Sequence, residues 1–153
     1  MTVHAFQPAP PLAGDSAALA QVLTRAGVTK DALVCVTGPA ALTALLWLIQ
    51  RGYHRAVMTP FASSRLGEAA DALLVPGACS PAELKSLLNS GHWLGDGGVL
   101  IVQTTGAIAD GGPGDVRLAL TEAGFVVQHR LNDRGRQVWI ARRVGSGDFK
   151  KAA

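Results

Sequence analysis

The chain has 153 residues, of which 48% are hydrophobic and 16% charged, and a formal net charge of +3. That length suits one domain able to bury roughly 70% of its unfolded surface, and the composition excludes a disordered polymer. The longest apolar stretch, Ala40 to Ile49, is too short to cross a bilayer as a helix, and two cysteines without CxxC spacing argue against a disulfide framework or zinc site.

Residues 1–14 carry three prolines and little periodicity, which predicts an extended or disordered arm. Asp15 and Ser16 offer N-caps for "SAALAQVLTRAG", a helix that Gly27 can end. "ALVCV" (32–36) is a continuous apolar run with β-branched residues, as expected of a strand buried on both faces. "TGP" turns the chain, Pro39 suits a first helical turn, and "AALTALLWLIQRG" reads as a helix closed by Gly52. In that helix Leu42, Leu45, Leu48 and Ile49 fit one buried face, while Ala44 and Trp47 carry apolar character onto another side.

"HRAVMTPF" (54–61) predicts a second strand and "DALLVPG" (71–77) a third, with too few residues between them for a full helix and another strand. "SPAELKSLLNSG" begins with a capping box: Ser80 as N-cap, Pro81 at the first position, Glu83 three residues after Ser80. "GGVLIVQTT" (97–105) is a buried strand and "DVRLALTEAG" a helix. "FVVQHRL" and "QVWIARRV", joined by "NDRGR", suit a terminal β-hairpin, and 146–153 reads as a flexible tail. The alternation predicts an α/β three-layer sandwich: a mostly parallel sheet flanked by helices, with a C-terminal antiparallel β-hairpin, all in one domain at 15–145.

This organisation resembles the S-adenosylmethionine-dependent methyltransferases. "ADALLVPG" looks like the family's fourth strand, "LGDGGVLIVQTTG" like its glycine-led fifth, and "LTEAGFVVQHRLNDRGRQVWIARR" like its last helix and hairpin. "LVCVTGPAALTALLWLIQRGYHRAVMT" stands for the first two strands, and the family's third strand is missing or vestigial.

The resemblance also implies where a cofactor would sit. The family's first strand runs into an acidic residue and a glycine-rich turn. Here Cys35 matches the acidic position, and the turn is reduced to Thr37-Gly38-Pro39-Ala40. A β-carbon at Ala40 can block an approach that glycine permits. The family's second strand ends in a carboxylate that holds the ribose; here it ends Met58-Thr59-Pro60. If each charge-assisted bond contributes ~1.5–3 kcal/mol, losing two removes ~3–6 kcal/mol, about two to four decades of affinity. The expectation is a retained fold with an eroded cofactor site, so that no resident cofactor is expected and S-adenosylmethionine is the one the resemblance allows.

In open α/β sheets ligands bind outside the carboxyl ends of the strands. Those ends gather Thr37, Gly38, Thr59, Phe61, Pro76, Gly77, Cys79, Gln103 and Thr104, a polar but almost uncharged set. The candidate cofactor-binding residues are Thr37, Gly38, Pro39, Thr59, Gly77 and Cys79; no catalytic residue is assigned and no metal site is expected. Cys79, near a helix N-terminus, could be an activated thiol, though a buried inert cysteine is the simpler reading. His4, His54, His92 and His129 share no HxxxH spacing, and no GxxxxGK[ST] loop is present.

Half of the 14 basic residues fall in the last 24 positions, without interleaved aromatics, so a solvated hairpin is expected rather than a nucleic-acid surface. No secretory signal is legible in "MTVHAFQPAPPLAG", and reduced thiols in the cytoplasm are the default. The low charge fraction and the wide apolar arc of the helix at 40–51 admit a homodimer. Three functions remain open. One is a non-catalytic binding or assembly module. Another is an active methyltransferase in which Thr37, Gly38 and Thr59 hold the cofactor, with Cys79 or Gln103 near the methyl group. The third is a domain binding another small metabolite at the same strand ends.

Overall fold

The structure is a computed structural model, described here for residues 15–38, 40–58, 70–79, 81–90, 94–105, 112–133 and 136–144. The arm at 1–14, the tail at 146–153 and the positions Pro39, Thr59, Phe61, Ser80, His92 and Trp93 lie outside the described residues.

The elements run α1 (Ser16–Ala26), β1 (Val34–Val36), α2 (Ala41–Gln50), β2 (Ala56–Met58), β3 (Ala70–Cys79), α3 (Pro81–Ser90), β4 (Leu94–Thr105), α4 (Gly112–Glu122), β5 (Phe125–Asp133) and β6 (Arg136–Arg143). This is the order that the apolar periodicity predicts. Asp15 caps α1 by accepting the Ala18 N–H at 3.1 Å. Gly27 closes it in the left-handed region at φ 75°, and the Val28 N–H reaches back to the Leu23 carbonyl at 3.0 Å.

The sheet has six strands in the order β2-β1-β3-β4-β6-β5. The first four are parallel, and β6 enters antiparallel between β4 and β5. Among the described residues no strand lies outside β2; residues 59–69, between β2 and β3, lie outside the described residues. The hairpin is tighter than the five-residue loop that "NDRGR" suggests, because Asp133 already pairs with Arg136 and only two residues connect them. β5 carries an extra residue, Gln128, between the pairs Val127–Ala141 and His129–Ile140.

Strand alternation sends apolar side chains to both faces. On one, Val34, Val36, Leu74, Ile101 and Ile140 pack against Leu19 and Leu23 of α1 and Ala44 and Leu48 of α2. On the other, Cys35, Leu73, Leu100, Val102 and Trp139 pack against Leu84 and Leu87 of α3 and Val116 and Leu120 of α4. The result is a three-layer α/β sandwich.

The face of α2 differs from the sequence expectation. Ala41, Ala44 and Leu48 are buried, but Leu42 and Ile49 are exposed, as is Leu46. A helix that is apolar almost all round has no periodic signal to choose its inward face. The small side chains of Ala41 and Ala44 fit against the sheet, and they set the rotation. Trp47 is half-buried, stacked on Tyr53 with ring centroids 6.4 Å apart.

At the amino edge of the sheet, β4 accommodates Gly95-Asp96-Gly97-Gly98 between the pairs Ala70–Leu94 and Ala72–Val99. Arg142 ties this bulge to α1: it donates to the Gly97 carbonyl at 2.6 Å and to the Ala26 carbonyl at 3.2 Å. Arg143 donates to the Leu94 carbonyl. Gly98 leaves no room for a side chain, since a β-carbon there would meet the Gly95 carbonyl oxygen and the Leu94 side chain at 2.8 Å. Gly98→Ala is therefore expected to destabilise the fold by about 1–3 kcal/mol, read as a lower denaturant midpoint with an unchanged slope.

Candidate functional site

The chain leaves β1 toward β2 on one side, and β3 resumes on the other, so the sheet has a switch point between β1 and β3. The crevice at the carboxyl ends of these strands is where an open α/β sheet takes a ligand. The residues that build it are Val36-Thr37-Gly38 after β1, Met58 at the end of β2, Val75-Pro76-Gly77 in β3, and Gln103-Thr104 in β4.

Thr37 is 1% exposed, and its N–H continues the ladder by donating to the Leu74 carbonyl at 3.1 Å. Its hydroxyl has no hydrogen-bond partner among the described residues. Gly38 takes φ 84°, which glycine adopts without strain. Ala40 takes φ 65° and ψ 12°, the single described non-glycine residue at positive φ. It stands at the N-cap of α2, with no side-chain cap bond. The turn thus keeps a glycine-type backbone at Ala40 while carrying a β-carbon there.

Cys35, at the position that the resemblance matches to an acidic residue, is fully buried. Its side chain packs with Leu33, Leu73 and Val75 in the layer beneath α3 and α4. Burial pushes the thiol up to about 11, so it stays protonated and unreactive at neutral pH.

In β3, Val75 pairs with Val102 and Ala78 with Gln103, so Pro76 and Gly77 form a two-residue bulge. Both are buried, and proline is tolerated there because a bulge asks for no ladder N–H. Cys79 pairs in register with Thr104, but its side chain lies outside the described residues. Thr104 is committed to packing: its hydroxyl accepts from the Trp139 indole N–H at 3.0 Å, inside the core. Gln103 is fully buried and already has an interaction partner.

The structure therefore brings Thr37, Gly38 and Gly77 to the carboxyl ends of the neighbouring strands β1 and β3, while Pro39 and Thr59 lie outside the described residues. The described carboxyl ends of β1, β2 and β3 hold no carboxylate. Asp31, Asp71 and Asp96 all lie at the opposite edge, around a polar cleft of about 380 Å³ floored by Arg142. That cleft is the seam where α1 meets the β4 bulge, and it is remote from the switch point. Asp71 is occupied there, accepting the Leu33 N–H at 2.9 Å. Sequence reasoning missed the positive φ of Ala40 and the Trp139–Thr104 bond. The first is hidden because alanine gives no left-handed signal, and the second because the two residues are 35 apart in sequence.

No family model matches the chain, and no curated protein matches it in sequence. Solved structures do match in shape. A SAM-dependent methyltransferase from Aquifex aeolicus is similar with a TM-score of 0.60 at 14% identity, over 84% of this chain and 88% of that one. The magnesium protoporphyrin IX methyltransferase from Synechocystis PCC 6803, solved with bound SAH, gives 0.53 at 13% identity, over 86% and 83%. An O-methyltransferase family protein from Burkholderia thailandensis gives 0.55 at 16% identity, over 88% of this chain. The chain spans 50% of the length of that last protein. The fold is methyltransferase-like. At these identities the likeness speaks for the fold alone.

Two outcomes follow from β1 and the turn after it. Ala40→Gly removes a left-handed penalty of about 1–2 kcal/mol, partly offset by greater unfolded-state freedom; a gain of about 1 kcal/mol is expected, raising Tm by roughly 2–4 °C. The second concerns pH. The Cys35 thiol is raised from 9.0 to about 11, so its contribution is fully present below pH 9 and is lost as pH rises toward 11. Stability should fall by about 2–3 kcal/mol across that window. Urea titrations should show a smaller fall for Cys35→Ala.

Proposed function

We propose that this chain is a methyltransferase-like binding or assembly module that has lost methyl transfer, with an eroded S-adenosylmethionine site. The observation that carries this reading is the packing of Cys35. The position where the family holds an acidic anchor is a closed apolar site, buried among Leu33, Leu73 and Val75. A carboxylate there would be stripped of water with nothing to pair it. Met58 at the end of β2 supplies no acceptor for a ribose, and the Ala40 β-carbon stands where a cofactor needs bare backbone. The residues present do not fit a tightly held S-adenosylmethionine.

A second reading is favoured by Thr37. A buried hydroxyl without a partner costs about 1–3 kcal/mol, and a ligand in the crevice would satisfy it. That ligand would be S-adenosylmethionine in an active enzyme, held by Thr37, Gly38 and Thr59 with Cys79 or Gln103 near the methyl group, or another small neutral metabolite.

As an assembly module the chain would act as a homodimer in the cytoplasm. The buried, free Cys35 thiol suits a reducing compartment. No described helix is long and apolar enough to cross a membrane. Nucleic acid is not an expected partner, because β6 spends Arg142 and Arg143 on backbone carbonyls.

The test is the melting temperature with millimolar S-adenosylmethionine or S-adenosylhomocysteine. A ligand at ~100 times its Kd adds ~2.7 kcal/mol, a shift of roughly 5–10 °C for a chain of this size. No shift is expected. A shift of that size would sink the eroded-site reading and favour the enzyme.

A further inference from the structure

α2 presents water with a surface that a soluble helix normally hides. Leu42, Leu46 and Ile49 are 57%, 52% and 54% exposed, and their spacing of four and three residues places them on one stripe. No charged residue occurs anywhere in α2. Its exposed polar residues, Thr43 and Gln50, flank the stripe. The single cation at its end, Arg51, is drawn over the Trp47 ring at 5.2 Å. Trp47 itself lies about 100° round the helix from Leu46, so Arg51 does not guard the stripe.

We propose that this stripe is a self-association surface, and that its occupant is α2 of a second copy of the chain, packed antiparallel about a two-fold axis through Leu46. The inference deepens the assembly-module reading and rests on it for its purpose, by naming the partner. Three observations single out a second copy. The stripe is nearly symmetric about its middle: with Leu46 on the axis, Leu42 falls within one residue of the partner's Ile49, and Thr43 within one residue of the partner's Gln50. An isologous interface requires this self-complementarity. Next, α2 has no acidic residue in its first turn and no side-chain cap, so the positive end of its dipole is uncompensated. An antiparallel copy sets each positive end beside a negative one. Finally, the surface is uncharged, so two copies meet without repulsion.

Area sets the strength. A standard interface buries about 800 Å² per partner, and a helix about 15 Å long supplies less than that alone. Met58 enlarges the patch: it is 50% exposed and, by alternation with Ala56, lies on the sheet face that α2 covers. The resulting dimer is reversible, with Kd on the order of micromolar.

Sedimentation velocity over a concentration series tests this, together with oxidative cross-linking of single-cysteine variants. The wild-type chain is expected to shift from monomer to dimer with concentration. Leu46→Asp should weaken the dimer at least ~100-fold by burying an unpaired charge on the axis. Leu118→Asp, at an exposed apolar site on α4 (56% exposed), should leave it unchanged. Leu46→Cys should cross-link readily to its own copy, and Leu118→Cys should not. A wild-type chain that stays monomeric, a Leu46→Asp variant that dimerises normally while folded by circular dichroism, or equal cross-linking at the two positions would each overturn the proposal. Methyl-transfer activity in a chain that still dimerises through Leu46 would overturn the assembly reading and leave the interface standing. A monomer that also ignores the methyl donor would overturn the interface alone.

Discussion

The architecture depends on the three buried residues of β1. Val34, Cys35 and Val36 are each 0% exposed, and the strand is hydrogen-bonded to a parallel neighbour on both sides. A strand so enclosed can carry only apolar side chains, and alternation divides them between the two helical layers. Val34 and Val36 anchor α1 and α2, while Cys35 anchors the layer under α3 and α4. The turn after β1 then has to deliver α2 back across the same face within a few residues. This geometry puts Gly38 and Ala40 at positive φ. Packing and site are thus coupled. The strand that organises the core also fixes what stands at the switch point, and its middle residue is a packing residue.

The two ends of the sheet divide their work unevenly. The described carboxyl ends of β1, β2 and β3 hold uncharged groups, one of them the Thr37 hydroxyl, which has no partner among the described residues. The amino edge gathers three aspartates and Arg142; there Arg142 joins α1 to the glycine-rich start of β4, and Asp71 accepts the Leu33 N–H. Among the described residues charge gathers at this seam, whereas the switch point is nearly neutral.

Most of the fold was legible because it rests on local patterns. Apolar runs bounded by glycine and proline marked the strands, and Asp15 and Gly27 marked the limits of α1. What failed had a common cause: contacts between residues distant in sequence. The inward face of α2 is chosen by the sheet it meets, so a helix apolar on every side left Leu42 and Ile49 ambiguous. Thr104 read as a polar strand-end candidate because its partner, Trp139, belongs to another strand. At the site, the residue types at 35, 37 and 40 were visible, but the direction of the Cys35 side chain and the backbone angle of Ala40 were not.

The shape of the sheet also bears on aggregation. A sheet that ends on an unpaired strand offers a row of free N–H and C=O groups to any passing chain. The two edges here reduce that hazard in different ways. β5 is nine residues long, and it carries the bulge at Gln128 and the exposed Arg130, which twist and charge the row. β2 has neither a bulge nor a charged residue within its three residues, and its brevity is the safeguard. Three residues present too few free groups to template a stack. Among the described residues the sheet ends on this short strand, which needs no further guard against fibril growth.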